Sequence, residues 1–195
     1  MGLRVSVQNI SPKLLALIIA LSVAVTVYAG VLVIYPVNVN VEEVAPPIVF
    51  EPGANAGDPG LPSTNTITVS LGSNSTSATV SLQVTYGEVY VVDVLNITNP
   101  TTPSGDNYFV RVCVDSAISS AVINTAEAII KVGTSTYTLD LRTAGACTSD
   151  FQLLDGDTAT ISFHFIVPEG TALDSTPPSV SLSLHYSPES PVPTP

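Results

Sequence analysis

Positive charge is what this chain has least of. Five Lys and Arg stand against sixteen Asp and Glu in 195 residues, for a formal net charge of −11. That balance argues against nucleic-acid binding, which rests on neutralised phosphates, and against attraction to an anionic lipid surface. The partners it leaves are cations, neutral surfaces and further copies of the same chain. Acidity that simply keeps an exported protein soluble is the plainer account. Trp is absent, Met occurs once, and charged residues make up only 11%. No GxSxG, HExxH, P-loop or Rossmann fingerprint occurs, so no catalytic residue and no cofactor is expected. The two histidines, His164 and His185, each fall inside a strand-like segment. Ordinary sheet positions explain them, and a shared metal is the functional alternative. A hydrolase would need a pair of acids, and Glu88 and Glu127 stand isolated in the sequence.

What the chain does have is Val, Thr and Ser in strand-like order, a composition that favours sheets. Its most distinctive run extends from Leu14 to Val41 without a charge. The first half, LLALIIALSVAVTVYA, lies behind Arg4 and Lys13 and reads as a secretion signal over residues 1–29, with a peptidase site after Val27-Tyr28-Ala29. An uncleaved membrane anchor is the rival, since Leu14 to Ile34 has about the length of a span, and the membrane would then be a partner through the leader alone. Pro36 and the strand formers Val31, Val33, Ile34 and Val37 favour cleavage. The second half, GVLVIYPVNVNV, ends in alternation of Val37, Val39 and Val41 with Asn38, Asn40 and Glu42. That is a β-strand with one apolar face.

Two cysteines, Cys113 and Cys147, lie beyond the leader. An even count in an exported chain points to one disulfide. Closing a loop of about 35 residues is worth roughly 4 kcal/mol in the chain-entropy picture. Asn74-Ser75-Thr76 and Asn96-Ile97-Thr98 have the form of glycosylation acceptors, and Asn74 is the better placed, in the turn-like LGSNSTS. Asp106, Asp115, Asp155, Asp157, Glu51 and Asp58 are oxygen donors in or near loops. Asp155 and Asp157 read first as turn formers, and calcium at subunit contacts is the alternative use of such oxygens.

Residues 45–64, APPIVFEPGANAGDPGLPST, form a Pro/Gly-rich linker whose composition opposes helix and ladder alike. Residues 65–187 then carry nine or ten short alternating segments. The longest, EVYVVDVLNIT, reads as a central strand. In YFVRVCVD, Cys113 falls on the parity opposite Val110, Val112 and Val114. AISSAVINTAEAIIKV reads as strand rather than helix, and TSTYTLDLR places Tyr137, Leu139 and Leu141 on one side. ATISFHFIV follows a tight turn at Leu154–Asp157, SVSLSLHYS closes the body, and residues 188–195 form a flexible, Pro-rich tail. The fold class expected is all-β, a jelly-roll-like β-sandwich behind a signal peptide and an N-terminal strand.

That N-terminal strand, residues 30–44, can be the first strand of its own sandwich or can complete a neighbour's. Strand addition supplies ladder hydrogen bonds and side-chain pockets, and a head-to-tail contact that does not close propagates a filament. The order of leader, apolar strand, EVYVVDVLNITNP, YFVRVCVD and ATISFHFIVPEGT resembles the TasA/camelysin-like group of exported fibre subunits, whose archaeal members include bundling pili, threads and cannulae. The resemblance implies a jelly-roll subunit that polymerises by donor-strand complementation into extracellular, cell-surface filaments, with no enzymatic activity. It also implies a donor strand at residues 31–44, inserting Val31, Val33, Tyr35, Val37, Val39 and Val41. The alternative function is a membrane-anchored cell-envelope binding module, an adhesin or a carbohydrate binder.

Overall fold

The computed structural model describes residues 44–59, 66–102, 104–170 and 177–193, together with Lys13 and Ala16. Apart from Lys13, Ala16 and Val44, the expected leader and the donor-type strand, including Val31, Val33, Tyr35, Val37, Val39 and Val41, lie outside the described residues. The body contains ten strands: β1 (Val49–Pro52), β2 (Thr68–Leu71), β3 (Ser77–Ser81), β4 (Gly87–Thr98), β5 (Tyr108–Ser116), β6 (Thr125–Val132), β7 (Ser135–Asp140), β8 (Phe151–Leu153), β9 (Thr158–Val167) and β10 (Ser179–Ser187). They form two five-stranded antiparallel sheets, ordered β1-β4-β9-β6-β7 and β2-β3-β10-β5-β8. Without β1 and β2, the orders 4-9-6-7 and 3-10-5-8 are those of an eight-stranded jelly roll. The two extra strands lengthen both sheets on the same flank, β1 beside β4 and β2 beside β3.

Parity decides which side chains enter the core. Ala159, Ile161, Phe163, Phe165 and Val167 of β9 alternate inward, against Val110, Val112 and Val114 of β5 and Val180, Leu182 and Leu184 of β10. Shifting any of these strands by one residue would turn its apolar set to solvent, so register is strongly specified. Leu139 and Leu141 are buried and Tyr137 packs partly against the same core, as their spacing predicts.

Four sequence expectations change. The linker is not free of ladders: Val49–Pro52 pairs with Leu95–Thr98, because Ile48 and Phe50 gain a buried place there. Only the second half of AISSAVINTAEAIIKV is strand. Residues 117–124 instead cross from one sheet to the other, anchored by buried Ile118 and Ile123 and by Ile118 N–H donating to the Leu141 carbonyl at 2.9 Å. The long strand β4 lies second in its sheet, and β9 holds the centre. The tail is docked at Val192, which is buried and whose N–H donates to Asp150 Oδ2 at 2.8 Å.

Candidate functional site

Strand β4 is twelve residues long, and β1 covers only its last four. Among the described residues no strand pairs with Gly87–Val91 on the β1 side, while β9 pairs with this stretch on the other side, from Gly87 opposite Val167 to Val91 opposite Phe163. The open edge extends for about 17 Å. Between it and β1 the strand bulges. Val91 faces Phe163 and Leu95 faces Ile161, so Val92, Asp93 and Val94 stand opposite the single residue Ser162. Asp93 adopts φ 51° within this bulge, a conformation Asp tolerates better than most residues. The preceding loop satisfies the displaced carbonyls. Gly53 N–H donates to Val94 O, Asn55 N–H to Asp93 O, both at 2.9 Å, and Asn55 Nδ2 to Val92 O at 2.7 Å. Bulges of this kind end a pairing and re-aim a strand.

A slot of about 250 Å³ opens along this edge, lined by Asn55, Asp58, Pro59, Ile67, Leu82, Gln83, Tyr90, Val91 and Val92. Its apolar floor is Ile67, Leu82 and Val91. One wall is the bulge. The other is residues 57–59, tied to Ile67 through Gly57 N–H to Ile67 O at 2.8 Å and Ile67 N–H to Asp58 O at 2.9 Å. Tyr90 and Val92 stand at the lip, 58% and 57% exposed, with Tyr86 also exposed just before the strand. Exposed apolar groups are thus gathered beside a strand edge that no described strand covers.

On the outer face of the same sheet, His164 links three strands. Tyr90 on β4 and Glu127 on β6 are its register partners on either side. His164 Nε2 lies 3.0 Å from Glu88 Oε1 and Nδ1 lies 3.2 Å from Glu127 Oε2. The Tyr90 ring stacks on the imidazole at 4.3 Å, and its hydroxyl donates to the same Glu88 oxygen at 3.0 Å. That hydrogen bond to a carboxylate, with a smaller contribution from burial, raises the Tyr90 hydroxyl above its ordinary value. The two glutamates that stand far apart in sequence are therefore neighbours around one histidine. Sequence reasoning missed this because the cluster depends on the register of β4 against β9 and of β9 against β6. The available signal was that His164, flanked by Phe163 and Phe165, falls on the outward parity of its strand.

The remaining candidates are dispersed. Cys113 and Cys147 form a disulfide with an S–S distance of 2.03 Å. Cys113 lies opposite the valine face, where the loop bearing Cys147 runs beside β5 through Val114 N–H to Ala146 O and Thr148 N–H to Val112 O. His185 is on β10 in the other sheet, next to Ser183, so the two histidines share no site. Asp157 Oδ2 accepts from Leu154 N–H and Asp155 Oδ1 from Thr102 N–H, both within turn structure. Asp115 accepts from Ser183, and Glu51 from Thr98. Among the described residues no group of three or more His, Cys, Asp or Glu is placed to hold a metal ion. Asn74 sits exposed in the turn between β2 and β3, whereas Asn96 lies within β4 between Glu51 and Thr160 with its Oδ1 buried. No family model matches the chain, and no curated protein matches it.

Proposed function

We propose that this protein is a non-enzymatic structural subunit that polymerises head-to-tail, each molecule receiving the N-terminal strand of another along the open edge of β4. The observation that carries the reading is the slot. It combines a strand edge that no described strand covers, an apolar floor and an exposed apolar lip, the three things an added strand uses. Residues 31–41 have a fitting pattern, uncharged and apolar, ending in alternation of Val37, Val39 and Val41 with Asn38 and Asn40. The sequence resemblance to exported fibre subunits points the same way, as does an acidic surface unsuited to nucleic acid. On this reading the protein is exported, the leader is removed, and the product is an extracellular filament.

Deletion of residues 30–44 tests it. Electron microscopy of the full-length protein should show filaments, and the deleted protein should remain monomeric with its melting transition intact. Filaments that persist unchanged after the deletion would rule out the donor role. A second reading, a carbohydrate-binding envelope module, is favoured by the exposure of Tyr90, which lines the slot, and of Tyr86 just before β4. Saccharide binding that is lost on Tyr90→Ala while assembly persists would support that alternative.

A further inference from the structure

We propose that His164 is a proton-dependent staple that fixes the lip of the slot on β4. The inference rests on reading that slot as a strand acceptor for its consequence, but not for its chemistry. Ionised carboxylates only accept hydrogen bonds, and a neutral imidazole donates from one nitrogen while presenting a lone pair at the other. Here both ring nitrogens face carboxylate oxygens, at 3.0 and 3.2 Å. The arrangement needs one proton more than a neutral ring between two carboxylates contains. With that proton present, two charge-assisted bonds join β4 to β9 and β9 to β6. Without it, one nitrogen lone pair faces a carboxylate and that arm must open.

Glu88 is the arm that opens. Its side chain is 58% exposed against 37% for Glu127, so it rehydrates more readily. Tyr90 donates to the Glu88 oxygen that also contacts the ring, and it lines the slot. Releasing Glu88 therefore removes the hydroxyl anchor of a residue at the slot's lip. Among the described residues, the other charged groups near this cluster are turned elsewhere or stand apart. Asp140 on β7 is the register neighbour of Glu127 on its far side. Arg142 is turned to the Asn124 carbonyl at 2.6 Å. Lys131 on β6 stands opposite Thr160, four residues along from His164. The Asp93 backbone N–H is bound to Ser162. The staple is closed while the ring carries a proton on both nitrogens and opens when one is lost.

The test uses the full chain at pH 5 and pH 8. Nitrogen NMR of His164 should show both ring nitrogens protonated at pH 5 and one at pH 8, with the Tyr90 ring resonances broadening or shifting at the same midpoint. The fraction of chain in sedimenting polymer should give an association constant higher at pH 5 by about tenfold, the equilibrium equivalent of one charge-assisted hydrogen bond. His164→Gln should abolish that ratio. Glu88→Gln should abolish it differently, because its amide donates to a neutral ring and keeps the arm closed at pH 8. An unchanged ring protonation, or a pH ratio that survives in both variants, overturns the proposal. If no polymer forms at either pH while the ring loses its proton and Tyr90 is released, the staple stands and the acceptor reading falls. If polymers form through residues 30–44 with no pH ratio, the acceptor reading stands and the staple falls.

Discussion

Asp150 shows how one side chain can tie distant parts of the chain together. Its Oδ1 accepts from Arg111 Nε at 2.8 Å and its Oδ2 from the Val192 N–H at 2.8 Å. Burial pushes its carboxyl up, but the Val192 N–H and the Arg111 guanidinium outweigh that and hold it below the usual carboxylate value. A depressed carboxylate contributes stability that is present above its unfolded value, about pH 3.9, and is lost as the pH falls through the folded value. Asp150→Asn should lower stability at neutral pH by about 2 kcal/mol, the scale of hydrogen bonds to a charged group, and flatten the acid limb of the stability curve. Thermal melts at pH 7 and pH 3 check both expectations. The disulfide is a second residue-scale tie. Its 34-residue separation predicts a loss of about 4 kcal/mol on Cys113→Ser with Cys147→Ser, or about 10 °C in melting temperature for a body of this size. The cysteine pair could be read from sequence because two cysteines leave one pairing. Asp150 could not, since nothing local marks its partners.

Among the elements, β4 carries the most information. Its existence and length follow from the long apolar run EVYVVDVLNIT, and the other clear strands, β5, β9 and β10, are equally legible because their apolar residues recur at period two. The bulge at Val92–Val94 is not legible, because it is set by what lies across the sheet. Nor is β1, whose Pro-rich surroundings disguise a four-residue strand held by Phe50 and its pairing. The loop that serves the bulge has no room to spare. A Cβ on Gly53 would collide with the Asp93 carbonyl, which is backbone and cannot swing aside. Gly53→Ala should destabilise by about 2 kcal/mol or more and displace the wall of the slot. Hydrogen exchange at Gly53, Asn55 and the β4 edge reads the local effect separately from the melting temperature.

For the molecule as a whole, the jelly roll itself was readable from nine or ten short alternating segments, whereas the stretch of β4 that no described strand covers was not. Among the described residues that gap is a property of sheet order, β1 covering only the last four residues of β4, and sheet order is set by long-range pairing. The same scale yields a prediction about the lip. Val92→Lys alters an exposed side chain and should change stability by no more than about 0.5 kcal/mol. It also puts a charge where an apolar strand would dock, so assembly measured by sedimentation should fall sharply while the melting temperature holds.

The docked tail gives this flank a counterpart. Val192 is fastened beside the start of β8, so the side of the sandwich bearing β8 is covered by residues around Val192, while on the other side no described strand pairs with the first half of β4. A body built that way has a polarity of its own before any second molecule arrives. Copies joined through it would all point one way, and the two tips of the resulting string would differ chemically, so that elongation would favour one of them.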